Sequence, residues 1–132
     1  MLPFGDPIVI HLLRANSTLA PLHGGRVGLR LENPLPAFRV ANIGDVESTT
    51  TWERATAYQV EIWAANDLTA GQLATTVANV WPSISGTAIP SLNAYVSSCW
   101  VHTHPRNLPD TTSDKARYLV DVALRYHWSP TT

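Results

Sequence analysis

The stretch TAYQVEIWAANDLTAGQLATTVANVW, Thr56–Trp81, reads as a strand, a turn and a helix in succession, and it decides the fold. From Ala57 to Ala65 the residues alternate, with Tyr58, Val60, Ile62 and Ala64 on one side and Gln59, Glu61 and Trp63 on the other. A half-buried strand has this period of two. Asn66 and Asp67 turn the chain, and Thr69-Ala70-Gly71-Gln72 has the form of a capping box, with Thr69 expected at the N-cap. Leu73, Val77, Val80 and Trp81, with the small Ala70, Ala74 and Ala78, then recur at helical spacing and form one apolar stripe. Pro82 ends the helix because its ring cannot continue it. The unit predicts a helix lying on one face of a sheet.

Upstream, Asp6-Pro7 predicts a helix start, the carboxylate capping and Pro7 at the first helical position. The helix runs to about Ala15 with Ile8, Val9, Leu12 and Leu13 as its buried stripe and His11 and Arg14 elsewhere. After the loop Ala20–Gly25, the alternation of Arg26–Glu32 predicts a strand, and Asn33-Pro34-Leu35-Pro36 a rigid bend. Phe38–Val46 reads as a second strand with a bulge near Asn42–Gly44. Glu47–Ala55 is polar apart from Trp52 and its closing alanine, and predicts a long hairpin loop before the central strand.

Downstream, Ser83–Pro90 reads as a Ser/Gly/Pro linker. Tyr95–Thr103 and Ala116–Trp128 form a terminal hairpin around the loop Pro105–Lys115. In the last strand Tyr118, Val120, Val122, Leu124, Tyr126 and Trp128 share one face, and Arg117, Asp121, Arg125 and His127 the other. The order gives an α+β fold: a mainly antiparallel sheet of four to five strands with two helices packed on one face. A chain of 132 residues is the size of a single domain, with its ordered core expected over about 6–128.

Net charge is −1, and a protein that grips nucleic acid unaided carries a basic excess, so specific nucleic-acid binding is disfavoured. Eight arginines stand against one lysine, Lys115, a bias expected of a GC-rich genome. The apolar run Ile8–Leu13 has Asp6 in front and no basic flank, which predicts neither secretion nor a membrane span. The single Cys99 excludes an intrachain disulfide and fits cytosolic assembly.

His102 and His104 resemble metal ligands, because i and i+2 on a strand point the same way. A third ligand is missing: Cys99 falls on the opposite face of a regular strand, and Asp110 lies in the loop beyond Pro105. The plainer reading is a pair of surface histidines ending a strand, so no metal, cofactor or catalytic residue is assigned. Cys99 reads as a small buried hydrophobe, and no nucleophile elbow or phosphate-binding glycine loop is present. A small metal-dependent hydrolase is the weaker alternative.

With the helices on the Tyr58 face, Trp63 is expected to be exposed and available to a partner, unless a second helix or loop covers it. Trp52, in a polar loop, either packs back on the domain or is displayed.

Taken in order, the apolar N-terminal helix, the bend Asn33–Pro36, Ile43-Gly44-Asp45, the central YQVEIWA, the helix Gly71–Trp81 and the closing RYHW at Arg125–Trp128 resemble the tail terminator family of long-tailed bacteriophages. That family is also known as tail completion or head-to-tail joining proteins, and the similarity spans about Asp6 to Trp128. The resemblance implies a non-enzymatic virion protein at the head-proximal end of the tail, assembled in the host cytoplasm. It forms a ring, usually a hexamer, that caps the tail tube, stops its growth and offers the surface on which the head docks. The implied partners are further copies of itself, the tail tube protein and a head-completion or connector protein. Genomic DNA passes through the lumen without specific binding, and no membrane is involved. Lumen and tube contacts are expected on the long polar loops Glu47–Arg54 and Pro105–Lys115, and the interface candidates are Trp52, Glu53, Arg54, Arg106, Asp110, Asp114 and Lys115 there and Trp63 on the central strand. Another neck ring, a connector or head-closure protein, is the alternative in the same class.

Overall fold

The computed structural model describes residues 4–47, 52–113 and 115–129. Among them the chain forms helix α1 (Gly5–Ala15), a single turn α2 (Ala20–His23), strands β1 (Val27–Gly28), β2 (Ala37–Asp45) and β3 (Glu53–Ala64), and helix α3 (Asp67–Val80). Strands β4 (Thr87–Ile89), β5 (Ala94–Asn107) and β6 (Ala116–Trp128) follow. The described strands form one sheet in the order β1-β2-β3-β6-β5-β4, antiparallel throughout except for the short parallel β1–β2 pair. The sheet thus has six strands, two of them very short, where four to five were expected.

β3 and β6 pair along their whole lengths, from Glu53 with His127 to Ala64 with Ala116. One hydrophobic cluster joins Tyr58, Val60 and Ile62 of β3 and Val120, Val122 and Leu124 of β6 to Ile8, Val9, Leu12 and Leu13 of α1 and Ala70, Leu73, Ala74 and Val77 of α3. Burying each large apolar side chain contributes roughly 1.5–3 kcal/mol, so this shared face holds the helices on the sheet. Trp81, fully buried just past α3, donates its indole N–H to the Ala123 carbonyl at 2.8 Å and anchors the helix's end on β6. The opposite sheet face, carrying Ala57, Trp63, Leu119 and Ala123, is buried outside this cluster.

Several local expectations are corrected. Arg26–Glu32 contributes only Val27 and Gly28 to the sheet. Its alternation continues to Leu31, but the proline bend redirects the chain and leaves Leu29 45% exposed. Asp6 does not cap α1: it lies inside the first turn and accepts a hydrogen bond from the Tyr58 hydroxyl at 2.7 Å. Asn66, not Thr69, caps α3, its Oδ1 accepting the Thr69 N–H at 2.8 Å, so the helix starts one turn earlier. The Ser83–Pro90 linker is structured, with a 3-10 turn over Trp81–Ile84 followed by β4. β5 runs on to Asn107, past Pro105, with register shifts at Val96/Ser98, Val101/Thr103 and Thr103/Arg106. The expected bulge in β2 falls between Asn42 and Gly44, where Gly44 has φ +109, a conformation that favours glycine.

Candidate functional site

The helix-free face of the sheet sets charged residues among the buried Ala57, Trp63, Leu119 and Ala123. Glu61 on β3 accepts a hydrogen bond from Arg39 Nη1 on β2 at 2.6 Å and from Trp63 Nε1 at 3.1 Å. The Arg117 guanidinium lies 5.2 Å from the Trp63 ring centroid. These contacts leave Trp63 only 8% exposed, so the expectation of a displayed Trp63 is corrected. Neighbouring side chains on the sheet surface lie against it. Farther along, Arg106 binds both Asp121 oxygens at 3.2 Å, and Arg125 pairs with Glu53 at 3.2 Å and with Glu47. Among the described residues, Arg39, Arg106 and Arg125 are therefore matched by Glu61, Asp121, Glu53 and Glu47, while Arg117 over Trp63 is in none of these pairs.

The remaining interface candidates separate. Glu53 and Arg54 were expected in the long hairpin loop but belong to β3. Arg54 donates to Asp45 Oδ1 at 2.9 Å, and Thr56 donates to the same oxygen at 3.0 Å. The charged partners Arg125 and Asp45 hold Glu53 and Arg54 in the strand without apolar alternation. Trp52 is 58% exposed, with its ring edge-on to His127 at 6.4 Å, so it packs back in part and still presents most of its surface. Asp110 closes a turn, accepting from Ser113 Oγ at 2.8 Å and from Thr112 Oγ1 at 3.0 Å. The Ser113 and Thr112 bonds hold its carboxyl below the usual range. Lys115 is exposed, and Asp114 lies outside the described residues.

His102 and His104 stand exposed on β5. Among the described residues no group of three or more His, Cys, Asp or Glu side chains is placed to hold a metal ion. Cys99 is 6% exposed and pairs with Leu124 in register, and burial pushes its thiol up to about 12. It is a protonated core residue and a poor nucleophile at neutral pH.

Two surface features had no periodic signal in the sequence. The outward side of α1 bears an open depression of about 450 Å³ lined by Phe4, Pro7, Ile10, His11, Arg14, Leu29 and Leu92, among others. Phe4 there is 68% exposed. At the start of α3 Leu68 is 72% exposed, and Leu108, just past β5, is 48% exposed. Exposed leucines in polar turns look unremarkable in a sequence, and only their placement in space makes them patches.

No protein-family model and no curated protein matches the chain. A chain in the virion of a native gene transfer agent (GTA) particle has a similar fold, with a TM-score of 0.63 and 17% identity. The likeness covers 89% of this chain and 91% of that one. No described helix is long and apolar enough to cross a membrane.

Proposed function

We propose that the chain is a structural protein of a phage-like virion and, within it, the tail terminator: a ring of copies, six by resemblance, that caps the tail tube, ends its growth and presents the surface for head docking. The observation that carries the reading is the shared fold over nearly the full length of a GTA virion chain. The surface chemistry supports it. Ion pairs engage most arginines of the helix-free sheet face, and a lumen wall of that kind lets DNA slide, since tight phosphate binding needs uncompensated Lys and Arg. Trp52 supplies an exposed aromatic anchor for the tube protein, whereas Glu53 and Arg54 are engaged within the sheet. The exposed histidine pair and the protonated Cys99 supply no convergent acid, base or nucleophile, which favours a non-enzymatic role.

The test is native mass measurement of the purified chain, followed by electron microscopy with tail tubes and, separately, with filled heads. The reading expects a closed oligomer and a ring on one end of each tube. A ring that binds heads and leaves tube ends bare would assign the chain to a connector or head-closure role. A persistent monomer that labels neither would overturn both.

A further inference from the structure

The helix α1 is apolar on two sides. Its inner stripe is in the core, while Pro7 and the N-cap Phe4 line the depression described above with Leu29 and with Ile10 and Leu92, which also pack partly against the core. A surface helix of a free-standing domain presents polar residues there, so an apolar outer face marks a contact. Among the described residues, the charged or imidazole groups lining the depression are Asp6, His11 and Arg14. Asp6 is engaged by Tyr58, and Arg14 approaches Glu32 only at 4.0 Å, at an exposed site where such a pair contributes little. The depression therefore presents an apolar floor with a weakly engaged cation.

The complement lies on the same molecule. Leu92 is two residues before Ala94, which pairs with Trp128, so the depression opens beside that end of the β5–β6 hairpin. Leu68 follows Ala64, which pairs with Ala116, and therefore projects at the other end of β6, roughly 40 Å away along a strand at ~3.3 Å per residue. Asp67 beside it is exposed and in no salt bridge among the described residues, although Lys115 borders the same hollow. A protruding leucine with a carboxylate at one end, and an apolar depression with an arginine at the other, are the two halves of a heterologous contact. Such contacts close into rings when the rotation permits.

We infer that a second copy of this chain seats Leu68 in the depression over α1, with its Asp67 against Arg14 and His11. The inference rests on the ring reading and names the contact that would close the ring.

The test is oligomeric state by native mass and sedimentation for Leu68→Glu, Ile10→Glu, Arg14→Glu, Asp67→Arg and the double variant R14E/D67R. Leu68 and Arg14 are exposed, so variants there should keep the wild-type circular dichroism and melting temperature, whereas Ile10→Glu, at a residue packed partly against the core, and Asp67→Arg, in the first turn of α3, should melt lower while keeping the folded circular dichroism. Each single variant should raise the concentration needed for assembly by about tenfold or more, and the double charge swap should recover most of that loss. A wild-type ring that none of the single variants disturbs would overturn this contact and leave the ring reading standing. Variants that assemble normally but no longer cap tubes would overturn it in favour of the tube protein as occupant of the depression. A wild-type chain that remains monomeric would overturn both.

Discussion

Gly5 sits where the first turn of α1 meets the tips of two core tyrosines. A Cβ there would fall well inside contact distance of the Tyr58 and Tyr126 hydroxyl oxygens, both at the ends of buried, rigid rings. Alanine favours helix by about 1 kcal/mol over glycine, but overpacking a fixed site costs about 1–3 kcal/mol, and displacing Tyr58 also disturbs its bond to Asp6. Gly5→Ala should therefore lower stability by about 1–2 kcal/mol in denaturant unfolding. A gain in stability would show that the tyrosines can yield.

His23 is fully buried, accepts the Gly25 N–H at Nδ1 at 2.9 Å, and so donates from Nε2 to the Leu13 carbonyl at 2.8 Å. Burial lowers its pKa, the bond to Leu13 opposes this, and Arg26 and Arg14 lower it further. The unfolded chain therefore takes up a proton before the folded one does. His23's contribution is fully present above the unfolded value of about 6.5 and is lost as pH falls below it, by at most about 1.4 kcal/mol per pH unit. Unfolding free energies measured between pH 7.5 and 5 should fall more steeply for wild type than for His23→Gln. Parallel curves would remove His23 as the titrating group.

Among the elements, β6 was legible in full, from Ala116 to Trp128, because it alternates without interruption and is buried on its helix side. The central strand was legible only from Ala57, since its first residues carry charges whose partners Asp45 and Arg125 are distant in sequence. Local pattern has no access to such pairs. The start of α3 shows a different limit. Asn66 and Thr69 are both good caps three residues apart, and the capping-box pattern favoured the wrong one, because Asn66 accepts the N–H of Thr69 itself. Asn66→Ala should cost about 1 kcal/mol and Thr69→Ala only a few tenths, read by thermal unfolding. The reverse order would return the cap to Thr69.

For the whole molecule, the α+β layering and the helix-covered face followed from periodicity, whereas the exposed apolar patches did not. Trp63 looked available and is covered by Arg117 and by its bond to Glu61, while Phe4 and Leu68 carried no periodic signal, Leu29 carried the alternation of a strand it does not join, and all three are exposed. Contacts in a ring depend on which residues project, and that is fixed only when the sheet is assembled. Trp52→Ala should leave the melting temperature nearly unchanged, since the ring is 58% exposed, and should weaken capping of tail tubes in a pull-down. Undiminished capture would place the tube contact elsewhere.

The most direct measurement follows tail tubes growing from purified tube protein, their lengths read by electron microscopy as the chain is added at increasing ratios. A terminator ring predicts that elongation stops, with a ring at the growing end of every arrested tube. Tubes that lengthen at the same rate with bare ends, at any ratio, would contradict the account.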